Sequence, residues 1–316
     1  MMNGDGKVLG IDVSKEWVDA FLFPSEQSWH VDRTWDALHA WVKTLPTGIS
    51  LAVMEGSGGL EQLPGAILAG AGIPVSVVNP RQVRGYVEAH GRKAKTDSID
   101  ARYIAQFGSH VRPTPQPVSS KEQNRLEELM TRRSQLVKMR TSEKNRLSSA
   151  RGPRVQESIR SHLQWIEKEL GVIDDELDTL IKNNPIRQTT ERIITSIPGV
   201  GTLTARAIQA DLPEIGTPNR KEIAALAGVA PFTHQSGKWK GRSFIIGGRS
   251  NVRSVLYMAA ISAVRWNPVI RNLYERLIQK GKPFKVVITA CMRKLLTIIN
   301  AMVRDQKMWC PTHITS

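Results

Sequence analysis

The sequence predicts an α/β domain followed by mainly helical segments. Over the first hundred residues, short apolar runs alternate with stretches of helical periodicity. Further along, the composition becomes polar and charged, and apolar residues there recur with heptad spacing. Alternating strands and helices indicate a mixed sheet with helices packed on it, whereas a heptad pattern indicates a long helix that buries one stripe. Apolar stretches of helical length near the C-terminal end predict a further, helical domain.

Short apolar runs bounded by turn residues define the elements of the first domain. The predicted strands cover residues 7–13, 17–23, 49–54 and 75–78, and the predicted helices cover 34–45 and 60–71. The first two strands are separated by only a few residues, which predicts a hairpin. The first domain is therefore expected to hold a mixed sheet.

A basic connector and one more helix follow these strands. Residues 81–95 carry five Arg or Lys residues against one Glu, and we expect a connector there. Residues 95–107 have the pattern of a helix, with Thr96 as its N-cap. A proline-rich linker comes next. The predicted domains are accordingly 1–118, 119–184 and 185–316.

The middle domain is predicted to be a helical hairpin or a coiled coil. Its second half has a heptad seam formed by Val155, Ile159, Leu163, Ile166, Leu170, Ile173, Leu177 and Leu180. Gly152 and Pro153 separate this helix from an earlier one. An antiparallel hairpin within one chain and a coiled coil between two chains explain the pattern equally well.

The charge balance points to a polyanionic partner. Lys and Arg number 44 and Asp and Glu number 29, so the net charge is +15, and the hydrophobic fraction of 41% indicates a folded protein. A surplus of this size suits nucleic acid first and an anionic membrane surface second. The sequence has no signal pattern, no predicted membrane span and only two cysteines, so we expect a reduced, cytoplasmic protein.

Four acidic residues stand out in this basic chain. Asp12 interrupts the first predicted strand, Glu55 follows the third, and Asp97 and Asp100 share one face of a predicted helix. A buried carboxylate needs a partner or a cation, and four converging carboxylates suit a pair of Mg²⁺ ions. Each residue alone also has a structural explanation, because Asp12 suits a turn, Asp97 an N-cap and Asp100 an ion pair.

Two basic regions and one glycine turn are candidate nucleic-acid contacts. The residues concerned are Arg81, Arg84, Arg92, Lys93, Lys95, Gly199, Gly201, Lys238, Trp239, Lys240, Arg242, Arg249 and Arg253. Basic charge interleaved with aromatic rings suits phosphates and bases, and the IPGVG turn at 197–201 has the form of a helix-hairpin-helix. A plain helix–helix turn and a solvated basic loop are the structural alternatives.

Short motifs carry a resemblance to a known family. GIDVSK at 10–15, MEGSG at 54–58 and KTDSIDA at 95–101 resemble the DEDD transposases of the insertion-sequence one-hundred-and-ten family and the related Piv-type DNA invertases. The segment 228–241 also matches the pattern G-x-A-P-x-x-x-x-S-G-x-x-x-G of that family's second domain. The resemblance covers nearly the whole chain.

This resemblance implies a fold, a site and a reaction. The first domain would be ribonuclease-H-like, of the RuvC type, and a coiled coil would join it to a helical domain that carries a catalytic serine. Asp12, Glu55, Asp97 and Asp100 would bind Mg²⁺ or Mn²⁺, and Ser236 would attack DNA and become joined to it. The family uses a bridge RNA that pairs with donor and target DNA, and its serine and metal site come from different protomers of a dimer or tetramer.

The expected function is therefore that of a DNA transposase or site-specific recombinase, with no membrane partner. Two other hypotheses remain open at this point. A RuvC-type junction endonuclease would share the four carboxylates but use water as its nucleophile. A nucleic-acid-binding coiled-coil protein without enzymatic activity would need neither the metal nor the serine.

Overall fold

The protein is described here from a computed structural model that covers residues 6–90, 97–115, 120–232, 235–236, 239–240 and 244–310, with the backbone alone at 97–100, 232, 235–236 and 239–240. The chain divides into two compact units, Met1–Ser120 and Lys121–Ser316. The division into three domains at 118 and 184 stays a prediction.

The first unit is built on a five-stranded mixed sheet, counted over the described residues. Its strands are β1 (Lys7–Val13), β2 (Trp17–Phe23), β3 (Gln27–Asp32), β4 (Ile49–Glu55) and β5 (Val75–Val78). The order across the sheet is β3-β2-β1-β4-β5. β2 runs antiparallel to both β1 and β3, whereas β4 is parallel to both β1 and β5. The carboxyl ends of β1, β4 and β5 therefore meet at one edge.

Helices cover both faces of this sheet. They are α1 (Trp35–Thr44), α2 (Gln62–Gly70), α3 (Pro80–Ala89) and α4 (Asp97–Val111). Leu9 and Ile11 of β1 pack against buried residues of α1 and α2, such as Leu38 and Leu68. Val8 belongs to a separate cluster that contains residues of α3 and α4. The mixed sheet with helices packed on it is thus confirmed.

Two elements of this unit were not expected from the sequence. Residues 81–95 were predicted to be a connector, but helix α3 covers Pro80–Ala89. Asn79 starts this helix with a capping box that includes Gln82, and Pro80 is its first residue. The edge strand β3 was also missed, because its exposed and half-buried residues do not form an apolar run. Thr96, the predicted N-cap of α4, lies outside the described residues.

The second unit begins with a helical hairpin. Helix α5 (Lys121–Ser149) and helix α6 (Pro153–Lys182) are joined by a short turn. Arg133 pairs with Asp174 and Lys144 with Glu167, so the two helices run antiparallel. The seam from Ile166 to Ile181 on α6 packs against the buried leucines of α5. The heptad pattern is therefore used within one chain, although Val155 at its start is 54% exposed and takes no part.

The rest of the second unit is a helical core with short strand pairs. The helices are α7 (Pro185–Thr195), α8 (Thr202–Asp211), α9 (Arg220–Leu226), α10 (Ser250–Trp266), α11 (Pro268–Gln279) and α12 (Phe284–Arg304). The strands are β6 (Pro231–Phe232), β7 (Gln235–Ser236), β8 (Trp239–Lys240) and β9 (Phe244–Ile245). In the described part of the chain, α12 is the one helix long and apolar enough to cross a membrane, but most of its apolar window is buried inside the unit. This burial is that of a core helix.

Candidate functional site

Asp12 and Glu55 are neighbours at the carboxyl ends of two parallel strands. The register of β1 and β4 pairs Ile11 with Met54, so the next residue on each strand is one of the two carboxylates. Both residues are half-buried. Side chains alternate along a strand, so Asp12 shares the face of Gly10, and Glu55 shares the face of Val53. The sheet therefore presents both acidic residues on the same face.

Helix α4 crosses that face with its backbone in contact with β1. A Cβ atom built on Gly10 would lie 2.2 Å from the carbonyl oxygen of Ala101 and 2.2 Å from the amide nitrogen of Ala105. A Cβ atom on Gly108, further along the helix, would lie 2.8 Å from Cγ1 of Val8. Both positions require glycine, because a methyl group would force the helix away from the sheet.

These two contacts also fix the direction in which α4 crosses the sheet. Moving along β1 from Val8 to Gly10 corresponds to moving back along α4 from Gly108 to the stretch 101–105. Two residues beyond Gly10, on the same face of β1, lies Asp12. One helical turn before the stretch 101–105 lies the first turn of α4. That turn contains Asp97 and Asp100, three residues apart and on one side of the helix. The backbone thus brings all four predicted positions to one edge of the sheet.

The donor set suits a hard divalent cation. Carboxylate oxygens are the ligands that Mg²⁺ and Mn²⁺ prefer, and Asp12 and Glu55 supply them from rigid strand ends. Among the described residues, no group of three or more His, Cys, Asp or Glu residues is arranged to hold a metal ion. The side chains of Asp97 and Asp100 are outside that set. Binding by the four carboxylates consequently stays a prediction.

A further acidic residue lies beside Asp12 that was not predicted from the sequence. Asp19 on β2 is the cross-strand partner of Asp12, so the two side chains share a face. Oδ1 of Asp19 lies 2.6 Å from Nδ1 of His30, the residue opposite it on β3. The predicted hairpin contains the signal for Asp19. Residues at equal distances from a short turn face one another, so pairing the two strands residue by residue places Asp19 opposite Asp12.

The predicted nucleophile lies on a short strand pair of the second unit. Ser236 is on β7 and pairs with Trp239 on β8. Strands β6 and β9 flank this pair in the chain and form their own ladder, which pairs Phe232 with Phe244. The segment that carries Ser236 is therefore closed at its base by β6 and β9. Lys238 and Arg242 lie outside the described residues.

The base of this segment is fixed by a glycine contact and two arginines. A Cβ atom on Gly248 would lie 2.1 Å from the amide nitrogen of Gly228. Nη1 and Nη2 of Arg249 donate to the two carboxylate oxygens of Glu214 at 2.7 Å and 2.5 Å. Nη1 of Arg253 donates to the carbonyl oxygen of Gly247 at 2.7 Å. Arg249, predicted as a nucleic-acid contact, thus holds the start of α10 to Glu214, and Arg253, also predicted as one, bonds within the turn that leads into α10. We call the Gly228–Gly248 contact and the Arg249–Glu214 pair the clamp.

The surroundings of Glu214 and Asp211 determine at which pH their carboxyl groups ionise. Burial acts to raise the pKa of Glu214, but the hydrogen bonds and charge of Arg249 outweigh burial and lower the pKa below its ordinary value. Burial raises the pKa of Asp211 to about 6, and the nearby charge of Glu127 acts in the same direction. The carboxylate of Glu214 in the clamp is therefore ionised at neutral pH, whereas that of Asp211 nearby titrates at about pH 6.

The other predicted nucleic-acid contacts fall in different settings. Arg81 and Arg84 are exposed on α3. Gly199 has φ +90° and meets the backbone of α10, because a Cβ atom there would lie 2.7 Å from Cα of Ala263. Gly201 is the N-cap of α8. The glycine turn is hence required for helix packing, and its contact with phosphate stays a prediction. Arg92, Lys93 and Lys95 lie outside the described residues.

The mixed sheet with helices packed on it is consistent with a DEDD nuclease-like domain, and comparison with known proteins shows that the protein is of the DNA-cutting class. A DEDD-type family model described as a transposase of IS110 elements matches residues 9–150. A second, described as "Transposase IS116/IS110/IS902 family", matches residues 191–275. The chain belongs to this IS110 family of transposases and DNA invertases.

Relatives matched over most of their length include DNA invertases as well as transposases. The pilin gene-inverting protein of Moraxella lacunata is 28% identical over 316 residues, covering 95% of this chain and 96% of that protein. The one from Moraxella bovis is 31% identical over 242 residues, 74% of this chain and 73% of that protein. The transposase for insertion sequence element IS1111A of Coxiella burnetii is 28% identical over 269 residues, 74% and 71% of the two chains.

Membership of the family fixes the general activity. The protein is an enzyme that cleaves DNA and transfers strands, and a DEDD-type domain implies dependence on a divalent metal. The hypothesis of a nucleic-acid-binding protein without enzymatic activity is therefore wrong. The nature of the nucleophile, the ion and any RNA partner belongs to the proposal that follows.

Proposed function

We propose that the protein is the recombinase of an insertion sequence, that it cuts and rejoins DNA through a phosphoserine bond, and that a bridge RNA guides it to both DNA partners. The observation that carries the proposal is the convergence of β1, β4 and the first turn of α4 at one edge of a ribonuclease-H-like sheet. Asp12 and Glu55 end adjacent parallel strands there. A site built in this way suits a reaction at phosphate.

The four carboxylates Asp12, Glu55, Asp97 and Asp100 would hold Mg²⁺ or Mn²⁺. When bound, the ion offsets the negative charge that builds up on the phosphate during transfer. The cross-strand pair of Asp19 and His30 adds polar groups beside this site, on the same face of the sheet. The half-buried strand ends limit the movement of the ligands, which favours tight positioning of the phosphate.

Ser236 would supply the nucleophile. Its hydroxyl oxygen forms a bond to the phosphorus while the bond from phosphorus to a DNA sugar oxygen breaks. The serine loses its proton, and the departing DNA hydroxyl gains one. The energy of the broken bond is kept in the phosphoserine link, so a DNA hydroxyl from a partner strand reverses the step without ATP. Breaking and rejoining strands in this way produces insertion or inversion.

A guide RNA would read the DNA sequence through base pairing, while the protein holds the backbone. A net charge of +15 supports the role of the protein in holding nucleic-acid backbones, because it suits contact with several strands at once. RNA that purifies with the protein would be sequenced to test this part. A recurrent RNA with segments complementary to both DNA partners is expected, and RNA of random sequence would contradict the proposal.

The decisive test compares Ser236 with two nearby serines, Ser243 and Ser250. We expect Ser236→Ala to abolish cleavage while DNA binding stays unchanged, and we expect Ser243→Ala and Ser250→Ala to retain cleavage. Labelled DNA would be incubated with each variant, and covalent protein–DNA adducts would be counted after denaturation. Cleavage by Ser236→Ala, or cleavage without any adduct, would support instead a RuvC-type nuclease that uses water.

A mixing experiment tests whether the serine and the metal site come from different protomers of a dimer or tetramer. Asp12→Asn and Ser236→Ala are each expected to be inactive alone. A mixture of the two variants would form assemblies in which one intact serine faces one intact metal site, so partial cleavage should return. Absence of complementation, with mixed assemblies verified by mass, would contradict the shared site.

A further inference from the structure

A large apolar groove lies next to the base of the Ser236 segment. Its volume is about 950 Å³, at the upper end of the range for ligand sites. Pro231 of β6 and Phe244 and Ile245 of β9 line one side, and α10 and α12 line the other. The two strands that close the Ser236 segment therefore also form a wall of the groove.

The groove combines exposed apolar surface with positive charge. Tyr257 and Met258 of α10 are 37% and 64% exposed, and Phe244 is 46% exposed. Arg253, Lys285 and Arg293 contribute three cations to the lining, and its described residues include no acidic side chain. An apolar surface of this kind normally binds a partner, and the cations indicate that the partner carries negative charge.

An unpaired DNA strand has the chemistry that fits both properties. Bases that have left the helical stack bind against aromatic and other apolar side chains, while the phosphates between them bind Lys and Arg. The apolar face of a second protein copy would not need three cations around it. A paired duplex would not suit an apolar surface either, because its outer surface is a row of phosphates.

We propose that this groove binds unpaired bases of the DNA strand beside the phosphate that Ser236 attacks, with Tyr257 as the stacking residue and Lys285 and Arg293 as phosphate contacts. The proposal rests on the proposed function, because it assumes that the Ser236 segment acts on DNA. Local unpairing would then accompany cleavage, and it would leave strand ends free to pair with a new partner.

The test measures binding of fluorescent oligothymidylate to the full-length protein. Tyr257→Leu keeps apolar volume but removes the aromatic face, so we expect binding to weaken roughly ten-fold or more. Tyr257→Phe keeps the ring and should bind as the wild type does. Lys285→Gln and Arg293→Gln should each reduce the slope of log affinity against log salt by about 0.7, the value for one phosphate contact to a single strand. Trp266→Leu is the matched control.

Trp266 suits this purpose because it is an aromatic residue of the same helix, is 70% exposed and does not line the groove. Met258→Ser provides a second variant in case Tyr257→Leu does not fold, since Met258 is more exposed. Normal oligothymidylate binding by the folded groove variants would overturn the proposal. Stronger binding of oligouridylate than of oligothymidylate would also overturn it, because the occupant would then be RNA. Groove variants that lose the mass of a dimer but still bind DNA would overturn it as well, because the occupant would then be a second protein copy.

Failure of this inference is distinguishable from failure of the proposed function. Ser236→Ala should bind oligothymidylate as tightly as the wild type, because the serine is not part of the groove. If Ser236→Ala still cleaves DNA while the groove variants bind weakly, the phosphoserine mechanism fails and the groove stands. If Ser236→Ala is inactive while all groove variants bind normally, the groove fails and the mechanism stands.

Discussion

In the first unit, Asp12 and Glu55 stand at the ends of strands that are paired along their length and covered by α4. In the second unit, Ser236 stands on a two-residue strand, and the segment that carries it begins and ends with the ladder of β6 and β9. The carboxylates gain their positions from a packed core, and the serine gains its position from a clamp. This difference fits the proposed roles, because ligands of a metal ion have to be held within narrow limits, whereas an attacking serine has to reach a phosphate of a separate molecule.

Apart from loss of Ser236, the largest effect on DNA cleavage should come from the carboxylates of the first unit. Asp12→Asn removes one carboxylate without changing the size of the side chain, and we expect the rate of DNA cleavage to fall on the order of a thousand-fold because the metal loses a ligand. Asp19→Asn, which changes the cross-strand neighbour, should lower the rate by about ten-fold at most. Cleavage rates with Mg²⁺ and Mn²⁺ would be compared. An Asp12→Asn variant with normal cleavage would remove the metal site from the mechanism.

A second prediction concerns the backbone contact between β1 and α4. Gly10→Ala places a methyl group where the gap is 2.2 Å, so α4 must move. We expect a loss of about 1–3 kcal/mol in the free energy of unfolding and about a hundred-fold loss in cleavage. Urea denaturation and cleavage assays measure the two effects.

Gly85→Ala is the matched control for that substitution. Gly85 lies within α3 with nothing near its Cβ position, so alanine should stabilise the protein by about 0.5–1 kcal/mol and leave cleavage unchanged. Equal effects at both glycines would show that the close contact does not position the site.

The clamp should respond more weakly. Arg249→Gln removes the partner of Glu214, and both side chains are about one-third exposed, so we expect a loss of about 1 kcal/mol in stability and about ten-fold in cleavage. Because the pKa of folded Glu214 is below its ordinary value of 4.5, the ion pair stabilises the protein above that pH. Its contribution is lost as the pH falls through the lower folded pKa. The stability difference between Arg249→Gln and the wild type should therefore shrink in acid.

The smallest effect should come from Asp211. Its pKa rises from 3.8 to about 6 on folding, so its contribution to stability is present below the ordinary pKa and lost as the pH rises through about 6. Asp211→Asn should thus stabilise the protein by about 1 kcal/mol at pH 8, with no gain at pH 3. Thermal unfolding across this pH range, with cleavage unchanged, would check it. Equal stability at pH 8 would show that burial of the carboxylate is harmless.

Local patterns in the sequence predict most of the first unit. Strands β1, β2 and β5 have the predicted bounds because apolar runs end at turn residues. β3 was missed because an edge strand with only Trp29 and Val31 half-buried has a weak pattern. Helix α3 was missed because its basic composition hides the capping box at Asn79.

The candidate site is predictable in part. The order of strands and acidic residues indicates that Asp12 and Glu55 meet, since both follow apolar strand residues. The contact of Gly10 with α4 and the contact between Gly228 and Gly248 join residues that are far apart in sequence. No local pattern encodes such contacts, so their importance emerges only when the chain has folded.

The crossing of the chain at Gly228 and Gly248 has a consequence for how this protein can diverge. The residues between these two glycines leave the helical core at one point and return to it at the same point. Changes of length between Phe232 and Phe244 are therefore expected to disturb the helical core little, whereas Val229 near the start of the excursion is itself buried in that core and has to stay apolar.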